Sequence, residues 1–239
     1  MSAPILTALF FFLGFFVESV AGFGSAFITC PILGIFIDIK ELVLIALYVG
    51  TCASSYILIS SFRFLAFKIF LLTLPISIAG TIIGVIVFNK STSQLLLTLL
   101  GILLIILSIQ MIFFDKIKFP KSFKAGLIFI GGISQGIFGM GGAFLIAALQ
   151  HDFKNKSQTR TTIAALFITL NSIRFSQLHL SNQLSLKFSE IWWVSIPAFI
   201  AIILGHKIHL KISEETFRRI TATITTTGGI YFLLKSIYY

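Results

Sequence analysis

The sequence predicts an all-α polytopic membrane protein: two structural repeats of about four hydrophobic segments each, the first segment of each broken at a glycine-rich motif. Three observations carry that reading. The chain is 57% hydrophobic and 11% charged over 239 residues, far from the balance of soluble proteins, and its mean hydropathy is +1.03. Several apolar runs reach the ~20 residues needed to cross a bilayer. Finally, a glycine-rich break occurs twice inside such runs, offset by 117 residues: Glu18-Ser-Val-Ala-Gly22-Phe-Gly24-Ser25-Ala26-Phe27 and Gln135-Gly-Ile-Phe-Gly139-Met-Gly141-Gly142-Ala143-Phe144.

Taken in order, the apolar runs are Ala3–Ile37, Leu42–Ser61, Ile69–Phe88, Ser93–Phe114, Phe123–Leu149, Thr161–Gln177, Phe188–Gly205 and Phe217–Leu234. Short polar connectors join them, without a low-complexity linker. The basic stretch from Asp115 to Lys124 divides the chain almost evenly. A first transmembrane repeat then covers residues 1–117 and a second 118–239, each a broken segment followed by three ordinary spans. A removable signal peptide is not expected, because Ala3–Phe16 lacks a basic start and no small-residue cleavage site precedes the first motif. Trp192-Trp193 and Tyr238-Tyr239 read as interfacial belts, and the 27 phenylalanines as lipid-facing bulk. Cys30 and Cys52 have no Cys-x-x-Cys spacing and read as small buried apolar residues.

Length constrains the breaks. As one straight helix Ala3–Ile37 would run roughly 50 Å, beyond the ~30 Å apolar core, yet two full spans and a turn need more than ~40 residues. Two half-length helices meeting at the glycines fit, whereas Phe123–Leu149 suits either a crossing or a re-entrant hairpin. Loop charge helps to choose. Eight crossings would split the 18 lysines and arginines nine against nine. A re-entrant second break gathers thirteen on one face and leaves five, Lys40, Lys90, Arg174, Lys187 and Lys235, on the other. The skewed split is the one that cytoplasmic loops produce. Extended to the first break through the repeat, it gives an inverted pair with both termini outside.

An opened backbone at membrane depth is tolerated only where it lines a polar cavity or is buried in protein. Paired breaks in corresponding positions of two halves mark a transporter's substrate site. A helix starting after the glycines offers partial positive charge and N–H groups to an oxyanion. The candidate substrate-binding residues are therefore Gly22, Gly24 and Ser25 in the first motif, and Gln135, Gly139, Gly141 and Gly142 in the second. Ser54 and Asn171, matched by the same offset, would line the cavity beside them, with Thr51 one turn earlier. The competing readings are that the glycines only let helices pack closely and that the serines bond their own helix carbonyls. Glu18 is an acid in an apolar run, a costly placement that suggests function. It either couples a proton to the anion or hydrogen-bonds the broken backbone, while its counterpart Gln135 cannot titrate. Arg174, close to the end of its run, reads as snorkelling to the headgroups rather than as the fixed charge an anion wants. Arg160 reads as an interface anchor.

Gly22-Phe-Gly24-Ser25-Ala26, followed by an apolar run and Pro31-Ile-Leu33, resembles the signature of the TauE/SafE sulfite-exporter family of membrane permeases. In the second copy, Gly139-Met-Gly141-Gly142-Ala143 through Leu149, Ala148 stands where the first has Pro31. The resemblance covers nearly the whole chain in length, repeat number and motif placement. It implies an inner-membrane secondary carrier of sulfite, organosulfonates or related organosulfur and carboxylate anions, in either direction. Its partners would be membrane lipids, the small anion and a coupled proton, with no cofactor. The oligomeric state stays open, a homodimer being one arrangement.

Other classes fit less well. The formal net charge of +10 sits in short loops, where it records orientation and anionic lipid rather than nucleic acid. An intramembrane hydrolase needs a nucleophile with a base at membrane depth, but His151, His179, His206 and His209 all fall in connectors. Neither an enzyme nor a metal site is expected, since no His/Glu cluster has ligand spacing within a span. An anion channel, whose filter also uses broken helices, and a non-transporting membrane scaffold are the alternatives.

Overall fold

The computed structural model describes residues 3–21, 24–113, 120–183, 188–208 and 214–238. They form α-helices joined by short turns: α1 (Ala3–Ala21), α2 (Ser25–Leu33), α3 (Ile39–Ser61), α4 (Phe67–Lys90), α5 (Ser93–Phe113), α6 (Lys121–Phe138), α7 (Gly142–Leu149), α8 (Lys156–Leu180), α9 (Phe188–Ile208) and α10 (Glu214–Tyr238). Each helix lies on an apolar run, extended by a few residues into the flanking polar connectors. Three of them, over Ile39–Phe64, Phe67–Lys90 and Ser93–Gln110, are long and apolar enough to cross a membrane. The 117-residue offset also places the helix starts. Asp38 caps α3 by accepting from the Lys40 amide at 2.8 Å, and Asn155 caps α8 by accepting from the Gln158 amide at 2.9 Å.

Both breaks are hairpins with unequal arms, which in the first replaces the expected pair of half-length helices by a long and a short one. The arms are 19 and 9 residues in the first hairpin, and 18 and 8 in the second. Sharp turning comes from left-handed backbone at Gly24 (φ 110°) and Gly139 (φ 74°), a conformation that glycine adopts without strain. The short arm then folds back on its own long arm. A Cβ on Gly14 would lie 2.9 Å from Ser25 O, and one on Gly131, its counterpart 117 residues on, 3.3 Å from Gly141 O. The first return arm ends against α10, where a Cβ on Gly228 would come 2.4 Å from Pro31 Cβ.

Contacts define the two ends of the bundle. At one end Ser93 bonds Asp38 at 2.9 Å, Asn89 bonds Ser181 at 3.0 Å, and Lys235 Nζ donates to Gly34 O at 3.1 Å. At the other, the Ala66 amide bonds Thr162 at 3.0 Å, and Lys124 Nζ stands 2.7 Å from Asp152 Oδ2. Lys124 begins the second hairpin and Asp152 follows it, so both its feet stand at one end.

Helix pairing exchanges between the halves: α4 packs on α6, α1 on α9, α3 on α8 and α5 on α10. The α4–α6 crossing is parallel and nearly side-chain-free. A Cβ on Gly80 would meet Phe129 O at 2.3 Å, and one on Gly136 would meet Thr81 O at 2.4 Å. Small residues allow such approach where burial of apolar surface cannot drive association.

The phenylalanines do more than face lipid. Phe11, Phe15, Phe27, Phe88, Phe138 and Phe232 are among the largest fully buried side chains, whereas Phe36, Phe62 and Phe67 are exposed. Cys30 is buried as expected but Cys52 is exposed. Trp193 is 73% exposed, as an interfacial residue would be, while Trp192, Tyr238 and Tyr239 lie outside the described side chains.

Candidate functional site

The two hairpin tips and the central pair α3 and α8 enclose one cavity. Its lining comes from Glu18, Ser25 and Ala26 of the first hairpin, and Gln135, Phe138 and Gly139 of the second. Helix α3 adds Ala46, Leu47, Gly50 and Ser54, and α8 adds Phe167, Asn171 and Arg174. Helical periodicity accounts for these last two sets, because residues four and three apart share a face. The cavity is narrow, with room for little more than a water molecule.

Each long arm ends in a side chain that caps the return helix. The Glu18 carboxylate accepts from the Ser25 amide at 3.3 Å and also from the Ser25 hydroxyl. In the second half, Gln135 Oε1 accepts from the Gly141 amide at 3.0 Å. The first amide of each return segment is thus met by the protein's own acceptor, satisfying a donor that a helix start leaves open. Gln135 also opens a chain of hydrogen bonds between the halves. Its Nε2 donates to Asn171 Oδ1 at 3.0 Å, Asn171 Nδ2 donates to Thr51 Oγ1 at 3.1 Å, and Thr51 donates to Leu47 O at 2.7 Å.

Of the residues expected at the site, Glu18, Ser25, Ser54, Gln135, Gly139 and Asn171 line the cavity together. Gly141 adjoins it through Gln135. Gly24 turns the first hairpin and Gly142 begins α7, neither lining the cavity, and Gly22 lies outside the described residues. Ser172, next to Asn171 on α8, is exposed and bonds the Ile168 carbonyl at 2.8 Å, the local role common for serines in spans.

Two arginines depart from expectation. Arg174 does not snorkel: it is 1% exposed and lines the cavity, and its Nε donates to Gly136 O at 3.1 Å. Helix α8 continues to Leu180, so the side chain is directed across the bundle to α6 instead of out of it. Arg160, read as an interface anchor, is also buried, at 4% exposure, within electrostatic reach of Glu18 and Tyr56. Sequence reasoning undervalued Arg174 although a signal was present. Phe167, Asn171 and Arg174 stand at i, i+4 and i+7 on one helical face, so a lining role for Asn171 carries Arg174 with it.

Comparison with known proteins agrees with the architecture. The model of the family described as "Sulfite exporter TauE/SafE" matches residues 6–232. A protein of Methanocaldococcus jannaschii described as a "probable membrane transporter protein" is 29% identical over 97% of this chain and 95% of its own length. The "probable inner membrane transporter protein TsaS" of Comamonas testosteroni is 26% identical over 101 residues, 41% of this chain. That alignment spans 42% of the relative's length, less than half of it. No solved structure matches the chain.

Proposed function

The chain belongs to the sulfite exporter TauE/SafE family of membrane transporters, and from that premise we propose that it is a secondary carrier of small oxyanions. Its cargo class is sulfite, organosulfonates and related organosulfur or carboxylate anions. The observation that carries this reading is the cavity where both hairpin tips meet, lined by both capping residues and by a buried arginine. Polar groups converging at the meeting point of two broken helices are how carriers of this construction hold a charged solute. Because the cavity is barely water-sized, passage of an anion requires the halves to move. Movement of that kind belongs to alternating access rather than to an open pore.

Glu18 is the coupling residue in this scheme. Ionised, its carboxylate occupies the Ser25 amide and hydroxyl as an internal anion. Protonated, it holds those groups less strongly, and an incoming oxyanion takes its place. A proton and an anion then travel together. The arrangement in the membrane is an inverted pair of re-entrant hairpins. The end of the bundle bearing Arg63, Lys124 and Asp152 faces the cytoplasm, and both termini lie outside. This orientation accords with the shared end occupied by the two feet of the second hairpin and with the division of basic residues, twelve against four once the buried Arg160 and Arg174 are set aside.

The test is uptake into proteoliposomes of sulfite, sulfonates, thiosulfate and small carboxylates, with and without an imposed pH gradient. At least one of these accumulates when the gradient is present. If none binds or moves under any gradient, the carrier assignment fails.

A further inference from the structure

We infer that Arg174 is the cationic ligand of the cargo, and that it selects an anion presenting two oxygens on one atom. This rests on the carrier reading above and deepens it. The guanidinium is buried on the cavity wall. Among the described residues its hydrogen bond is the one from Nε to Gly136 O at 3.1 Å, and no carboxylate lies within ion-pair distance. Glu18 lines the same cavity, but the charged neighbour it feels is Arg160, and its carboxylate is already engaged by Ser25. A buried cation without a counter-ion is strongly unfavourable. Here the missing partner has a place to sit, because the charge is aimed into a cavity.

The geometry also limits the partner's shape. Arginine has five donors in a planar fork. With Nε held by the Gly136 carbonyl, the two terminal nitrogens remain as a pair of parallel donors, the arrangement that matches two oxygens of one carboxylate or sulfur oxyanion. Gly139 leaves that edge clear: a Cβ there would stand 3.3 Å from Nη1. A spherical anion satisfies such a fork poorly. The first half offers no second cation at the matching place, since the residue 117 positions earlier is Ile57, which is buried and apolar. The cavity therefore neutralises one anionic group at a time.

The experiment measures anion-dependent thermal stabilisation of the purified full chain, and anion exchange in proteoliposomes, using sulfite, methanesulfonate, acetate and chloride. Wild type is stabilised by the oxyanions and far less by chloride. Arg174→Gln loses oxyanion affinity by at least about thirty-fold, the usual scale for truncating a buried charge partner, while the unliganded protein stays folded because an unmatched charge has been removed. Arg174→Lys keeps anion binding but loses the preference for oxyanions over chloride. Lys154→Gln, which removes an exposed surface cation, changes neither readout. A wild-type sulfite response in Arg174→Gln would overturn the ligand role and leave the carrier reading intact. No response to any anion in wild type, by stability or by flux, would overturn both. Should Arg174→Gln fail to fold, Arg174→Lys decides, because unchanged oxyanion-over-chloride preference in that variant also refutes the fork.

Discussion

Glu18 and Gln135 occupy equivalent places in the two halves, and each accepts a hydrogen bond from the start of the return segment beside it. One cap can ionise and the other cannot. Glu18→Gln preserves the acceptor while removing the titratable group. Accumulation driven by a pH gradient is expected to disappear in this variant, whereas exchange of labelled sulfite across the bilayer persists. A pH-independent flux equal to wild type would instead identify a channel.

Gln135→Ala leaves the Gly141 amide and the Asn171 carbonyl oxygen without the partner each now has. Stranding buried polar groups costs about 1–3 kcal/mol each. The variant should melt several degrees lower in detergent, and a double-mutant cycle with Asn171→Ala should be strongly non-additive. Additive losses would mean that the two side chains do not act as a network.

Glycine substitutions separate a tight crossing from a free surface. A Cβ on Gly136 would press on Thr81 O at 2.4 Å and on Gly84 Cα at 2.8 Å, both backbone atoms, whereas one on Gly126 meets nothing within 4 Å. Gly136→Ala should destabilise by about 1–3 kcal/mol through overpacking. On the same helix, Gly126→Ala should stabilise by up to about 1 kcal/mol through helix propensity. Thermal unfolding of the two variants side by side checks the α4–α6 crossing directly.

The second hairpin's feet give a topological test. In a cysteine-free background, single cysteines at Lys118 and Lys156 should react with an impermeant maleimide from the same face of the membrane, and one at Lys90 from the opposite face. Labelling of Lys118 and Lys156 from opposite faces would refute re-entry. The Lys124–Asp152 pair is partly exposed, Asp152 at 41%, so Lys124→Ala should cost no more than about 1 kcal/mol. That ion pair marks the geometry and does little to create it.

Much of this architecture was legible because lipid imposes simple rules. Helices follow wherever apolar runs of spanning length end in polar residues such as Asp38 and Asn155, which then serve as caps. Paired glycines announced the breaks, and the matched positions of Glu18 with Gln135 and Ser54 with Asn171 announced a shared cavity. Hairpin proportions were not legible, because they depend on Gly14 and Gly131 receiving the return arm, a relation between elements and not within one. Arg174 was misjudged for a related reason. Its nearness to a loop is a distance along the chain, while its burial follows from the direction in which the side chain leaves the helix. Residue type alone could not say which phenylalanines face inward, since core and lipid are equally apolar.

The row of donors from Gly141 through Gln135, Asn171 and Thr51 to the Leu47 carbonyl runs in one direction only. A carboxamide gives through nitrogen and receives through oxygen, so it does not hand a proton onward as water or a carboxylic acid does. The polar seam joining the halves is in this sense an insulator. In the carrier reading, a proton taken up at Glu18 could not be relayed along this row, so its release would have to accompany movement of the protein.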